Sequence, residues 1–219
     1  MTYKILNIIK AVSLCLLCPV FTACIHETYA TPADRHSQRD RSIYSDYQDL
    51  EKESQKLDLY DVMVNATKYF SERSDIDKGA LWLRVAVSRY SDDMSPEEMN
   101  LCAMAHTNLG YYWIFERNNP YEAYPLLIRT LKIAEDNDID TNIVSAANTN
   151  IAKIYTIFKD YPKAMQYYKK AFGIACAANH PFGVPYSFID LIHFAWTADS
   201  LPSIRKEIKM IKGTGLPDE

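Results

Sequence analysis

Tyr155 and Lys159 form a Tyr-x-x-x-Lys pair, one helical turn apart. That spacing sets an ammonium beside a phenol, the arrangement in which a tyrosine serves as general acid in nicotinamide-dependent hydride transfer. The chemistry also needs the nicotinamide itself, held by a strand, a Gly-rich loop and a helix. Only six glycines occur, at positions 79, 110, 173, 183, 213 and 215, and they build no phosphate cradle. Strand-type alternation is absent as well. The pair is therefore read as structural: Tyr155 fills a wedge between helices, and Lys159 sits at a helix C-terminus, where a cation meets the helix dipole favourably.

Other reactive types fare no better. The five histidines (26, 36, 106, 180 and 193) include no His-x-x-x-His pair, and no cysteine lies near enough to complete a zinc set. His106 is expected to be a packing residue with one ring nitrogen satisfied. No Gly-x-Ser-x-Gly elbow appears. The acidic runs "DD" (92–93) and "EDNDID" (135–140) fall in loops between helices, and the second lacks the glycine and distal glutamate of a calcium loop. No catalytic residue, metal or cofactor is expected, and the chain is read as a non-enzyme.

Of the five cysteines, Cys15, Cys18 and Cys24 belong to the N-terminal stretch. Lys4 and Lys10 precede an uncharged run, "AVSLCLLCPVFTACI" (11–25). Fifteen residues containing a proline are short for a span of about 20 residues but suit a signal peptide. The run ends in "FTAC", which resembles a bacterial lipobox with Phe21 replacing the usual leucine. On that reading residues 1–23 are removed and Cys24 is lipidated. Cleavage after Ala30, behind "TYA", is the alternative. Loss of residues 1–23 removes two lysines and no acid, leaving 22 basic against 28 acidic residues, a net charge of −6. Such a balance argues against a nucleic-acid partner and provides no polybasic support at a membrane. Residues 24–44 are polar and aperiodic and read as a tether. Cys102 and Cys176 are read as buried thiols, with a disulfide between them as the alternative.

The elements that must position everything else are helices. "SPEE" (95–98) supplies a serine cap, a proline in the first turn and a capping-box glutamate, while "NNP" (118–120) and "KDYP" (159–162) open further helices. "ANHP" (178–181) closes one. Self-similarity then organises residues 45–219. "TNLGYYWIF" (107–115) and "TNIAKIYTI" (149–157) superpose at an offset of 42. Small residues recur at Thr67, Gly110 and Ala152, aromatics three later at Phe70, Trp113 and Tyr155, and alanines at Ala80, Ala123 and Ala164. Two antiparallel helices need a small residue where their axes approach most closely, and an aromatic fills the splay beside it. A lone hairpin cannot bury its apolar stripe, so hairpins must stack.

This pattern resembles the tetratricopeptide repeat (TPR). Ala152, Tyr155, Ala164, Tyr168 and Ala171 meet all five positions of that family's motif; Gly110, Trp113, Ala123, Leu127 and Thr130 meet it with one extra loop residue. Thr67, Phe70, Ala80, Arg84 and Val87 form a degenerate copy, with Arg84 where a large apolar residue belongs. The period of 41–43 exceeds the usual 34 or so, implying longer helices or loops. Residues 186–212 suit a degenerate C-terminal pair. The resemblance implies an all-α, right-handed superhelix of antiparallel helix hairpins, a TPR-like solenoid of about three repeats plus that cap.

It also implies a concave groove lined by first-helix residues: Asp61, Val64, Lys68 and Ser71; Met104, Thr107, Tyr111 and Ile114; Ala146, Thr149, Lys153 and Thr156. Tyr111 would anchor an extended peptide and Lys68 and Lys153 would meet its acidic groups. The expected function is a non-catalytic protein- or peptide-binding scaffold or adaptor, exported to the bacterial cell envelope and held at a membrane by its N-terminal lipid. Such an arrangement resembles envelope lipoproteins of the Bacteroidetes type. The alternatives are the sensory input region of a TPR-type membrane regulator, which would require a truncated chain, and a glycan- or nutrient-binding surface lipoprotein.

Overall fold

Helix starts are fixed by side chains that accept from otherwise orphaned amides. Asp75 accepts from Lys78, Asn119 from Glu122, Asp140 from Asn142 and Asp160 from Lys163. The capping box at Ser95 is complete: its Oγ accepts from the Glu98 amide and the Glu98 carboxylate accepts from the Ser95 amide.

The structure, a computed structural model, describes residues 47, 49–72 and 75–212. These residues are all-α, with no strand among them. The chain divides into two compact units, Met1–Asp92 and Asp93–Glu219. In the first unit, helical residues 49–54 precede α1 (Leu59–Glu72) and α2 (Ile76–Ser88). The second holds α3 (Pro96–Phe115), α4 (Pro120–Asp136), α5 (Thr141–Ile157), α6 (Tyr161–Ala177), α7 (Gly183–Thr197), a 3₁₀ turn (Leu201–Ile204) and α8 (Arg205–Lys212).

Neighbouring helices pack as antiparallel pairs, as the cross-contacts show. Across α3 and α4, Thr107 Oγ1 lies 3.1 Å from Thr130 Oγ1, and Gly110 faces Leu127. Across α5 and α6, Ser145 donates to the Ala171 carbonyl at 3.0 Å, while Ala152 and Ala164 share one buried cluster. In the first unit Gly79 lies beneath the Phe70 ring, and Arg89 of the α2 C-terminus donates to the Leu57 carbonyl (2.9 Å). Arg84, odd by the motif, is exposed, with its guanidinium 5.9 Å from the Tyr47 ring centre.

The long period resides in the helices. α4, α5 and α6 each run 17 residues and α3 runs 20, whereas only three residues join α5 to α6. The helix ends turn sharply because the residue after the cap takes a left-handed conformation: Lys159 (φ 60°), Asn179 (48°) and Asp199 (50°), with Asn118 (48°) in the turn after α3. At Lys159 the carbonyls of the last turn are closed in Schellman fashion: the Lys159 amide donates to Thr156 (3.0 Å) and the Asp160 amide to Tyr155 (2.9 Å).

The C-terminal pair begins earlier and is less regular than residues 186–212 suggested. Its second limb is a 3₁₀ turn running into the short α8. Lys169 of α6 holds it, with its Nζ 3.5 Å from the Glu207 carboxylate and donating to the Ser203 carbonyl.

Gly110 and Gly173 make opposite predictions. A methyl group at 110 would stand 2.8 Å from Leu127 Cδ2 and 2.9 Å from Cγ, inside a closed core, whereas one at 173 meets nothing within 4 Å. Gly173→Ala should raise stability by up to about 1 kcal/mol through helix propensity. Gly110→Ala should lower it despite the same propensity gain, because Leu127 must shift. Chemical denaturation of the two variants checks this; equal shifts would show that the helices do not depend on the close approach.

Candidate functional site

The face most able to meet a ligand is built from three first helices of the second unit. On α3, Tyr111 and Phe115 stand one turn apart with ring centres 4.4 Å from each other. On α5, the Lys153 ammonium lies 5.1 Å from the Phe115 ring centre. The same ammonium lies 3.4 Å from the Asp190 carboxylate on α7. Tyr111, Phe115, Lys153 and Asp190 thus form one connected line, and each retains solvent exposure. The ion pair is partly exposed at both ends and contributes little to stability, about 1 kcal/mol or less. It leaves both charges available for exchange with a ligand.

The expected lining residues do not all share this face. Tyr111, Ala146, Lys153 and Thr156 remain partly accessible. Met104, Thr107, Ile114 and Thr149 are corrected: they are buried and belong to the packing, not to an open surface. Thr107 shows why, since its hydroxyl donates to the Ala103 carbonyl one turn back and meets Thr130 of α4. Ile114 sits in a core cluster with Leu127 of α4 and Ile151 and Ile154 of α5. Lys68, Asp61 and Val64 are exposed on α1 in the first unit. Residues 1–44, with Cys24 and the alternative cleavage site at Ala30, lie outside the described residues, as does the Ser71 side chain.

Sequence reasoning missed Phe115 and Asp190. The i, i+4 spacing of Tyr111 and Phe115 was a readable signal; the reach of Asp190 to Lys153 was not, because it depends on how α7 packs beside α5.

Tyr155 is engaged with two neighbouring tyrosines. Its hydroxyl lies 3.2 Å from that of Tyr124, and its ring stacks on Tyr167 at 5.5 Å. The bond to Tyr124, aided by burial, pushes its phenol up to about 12. A general acid working near neutrality needs the opposite shift. The ammonium over the Tyr155 ring belongs to Lys163, at 5.2 Å. Cys102 and Cys176 are not joined in a disulfide; Cys102 is buried with its Sγ 3.7 Å from the Met94 sulfur, and burial raises the Cys176 thiol pKa. Among the described residues, no group of three His, Cys, Asp or Glu side chains could hold a metal ion, and no helix is long and apolar enough to cross a membrane.

No protein-family model, curated protein or solved structure matches this chain.

Two predictions follow from single residues of these helices. His106 is buried, with Nδ1 2.8 Å from the Cys102 carbonyl, so it packs as expected of a structural histidine. Burial pushes its pKa below the ordinary value; the Cys102 carbonyl opposes this and the Arg129 charge reinforces it. The folded state thus binds fewer protons here than the unfolded chain. The neutral ring's contribution is complete above the unfolded value of about 6.5 and is lost as pH falls from there through the depressed folded value. Thermal melts from pH 7 to pH 5 should fall more steeply for wild type than for His106→Gln; parallel curves would remove His106 from the acid response. Lys159, with positive φ and no short polar side chain to ease it, should be improved by glycine. Lys159→Gly is expected to add up to about 1 kcal/mol in urea denaturation, and Asn118→Gly less.

Proposed function

We propose that this chain is a TPR-like solenoid, a right-handed superhelix of about three hairpin repeats closed by the irregular C-terminal pair. On this reading it is a non-catalytic adaptor that binds an extended protein or peptide segment. It would be exported to the bacterial cell envelope and anchored through a lipid on Cys24. The observation that carries the binding role is the line Tyr111–Phe115–Lys153–Asp190 across three successive first helices. It offers an aromatic pair followed by a charge pair, both accessible and set on rigid helices. Supporting the repeat reading, the motif positions Gly110, Ala123, Leu127 and Thr130 are buried, as are Ala152, Ala164, Tyr168 and Ala171 at the matching offsets.

The chemistry of the line specifies a ligand segment. An aromatic or large aliphatic residue would stack against Tyr111 and Phe115, and an acidic residue would replace Asp190 at the Lys153 ammonium. Such an exchange needs no new buried charge, since one carboxylate substitutes for another.

Peptide arrays pairing aromatic with acidic residues, followed by fluorescence anisotropy on the hits, test the reading. Tyr111→Ala should weaken binding about tenfold or more, in the range of an aromatic hot spot. Lys153→Ala should weaken it less, and its effect should shrink with added salt. Equal affinities for wild type and both variants would sink this face as the binding site.

A further inference from the structure

Of the nine large apolar or aromatic side chains exposed among the described residues of the second unit, six lie within a few residues of the turns that end the first helices, while Phe182, Ile189 and Met210 lie elsewhere. Phe115 ends α3, Tyr121 opens α4, Ile157 and Phe158 end α5, Tyr161 opens α6 and Trp196 closes α7. Tyr121 and Trp196 retain 76% and 71% of their surface. Two ring contacts cross between helices here: Tyr121 lies 5.2 Å from Phe158, and Tyr161 lies 6.1 Å from the buried Phe194 of α7. Trp196, two positions on, faces a different side of α7 from Phe194 and stays exposed. Aromatic surface left open at these turns costs solvation that burying it elsewhere would recover.

The charges among these turns nearly cancel. Arg117, Lys159 and Lys163 stand against Glu116, Glu122, Asp160 and Asp199, and Asp160 pairs with Lys163 at 2.9 Å. A polyanion would find no positive excess here. The side-chain types instead match the water–hydrocarbon boundary of a bilayer. Trp and Tyr place an apolar ring inward and a polar N–H or O–H at the headgroups, with charged residues flanking them. A buried protein interface would leave those flanking charges to be desolvated; headgroups keep them hydrated.

We propose that this turn edge docks on a lipid bilayer, inserting Tyr121, Phe158, Tyr161 and Trp196 at the level of the headgroups. The chain outside the described residues favours this occupant over a second copy. Its uncharged run ends at Ile25, 22 residues before Tyr47 of the first unit. That length reaches at most about 80 Å, so an anchor there would hold the whole chain, whichever way the edge lies, at raised effective concentration near the membrane. This step rests on the anchoring reading of the N-terminus; the edge's chemistry does not. Near-neutral charge makes the docking insensitive to salt, and the loss of the extra aromatic contacts makes it reversible. The Tyr111–Lys153 line is a separate surface chemistry, apart from Phe115 at its margin.

The test uses the full chain, as wild type and as Cys24→Ser, with vesicles of phosphatidylcholine carrying bromine at a shallow acyl position. Wild-type tryptophan fluorescence should be quenched by the brominated lipid, and Trp196→Phe should remove that component, leaving Trp82 and Trp113 unquenched. Tyr121→Ser with Phe158→Ser should lower vesicle partition of the Cys24→Ser chain by about fivefold or more, at unchanged helical circular dichroism. Salt should leave the partition unchanged. A chain that reaches vesicles through its N-terminus while Trp196 stays unquenched overturns the edge but not the anchor. A quenched Trp196 in Cys24→Ser alone supports the edge without the lipid. Binding that needs anionic lipid and vanishes in salt overturns the proposal, as does a dimer in solution abolished by the Tyr121 and Phe158 substitutions.

Discussion

The 2.8 Å that separates a hypothetical methyl at Gly110 from Leu127 sets the scale on which the second unit is built. Helices this close must present almost nothing at the crossing, and whatever flanks the crossing must fill the space where they splay. That constraint explains why small residues and aromatics alternate three positions apart. It also explains why Thr107 and Thr130, or Ser145 and the Ala171 carbonyl, can bond across the pair. Hydroxyls in a helical interface are satisfied there by neighbouring carbonyls, so they add polar links without an unpaired buried group.

Turning the chain so quickly has its own requirement. A three-residue connection between 17-residue helices leaves no room for a loose loop. After α3 and after α5 the reversal is made by one left-handed residue, Asn118 or Lys159, and a side-chain acceptor waiting at the next helix start. Asn118, Asn179 and Asp199 suit the first task because a short polar side chain eases positive φ. Asn119 and Asp160 perform the second. Lys159 departs from this logic in its side chain alone; its backbone closes the α5 terminus as the others close theirs.

Much of this was legible in the sequence because it is local or periodic. The capping box at Ser95, the helix starts at 119 and 160, and the small–aromatic–alanine spacing depend on neighbours within one helix or one period. The groove was legible only in part. Placing Met104, Thr107, Ile114 and Thr149 on an open face used register alone, and register does not say what a third helix will cover. Ile114 is buried because α5 packs over it, and the Lys153–Asp190 contact exists because α7 lies beside α5. Neither can be read from spacing.

Tyr155 and Tyr167 pack against two buried clusters of the second unit, the one around Leu127 and Ile151 and the one around Phe172 and Leu191. Their stacked rings, with the Tyr124 hydroxyl bonded to Tyr155, make the two clusters share members instead of merely touching. Opening α6 would strip Tyr167 from the cluster formed by α3, α4 and α5. The shared rings thus couple the packing of the C-terminal helices energetically to that of the helices before them.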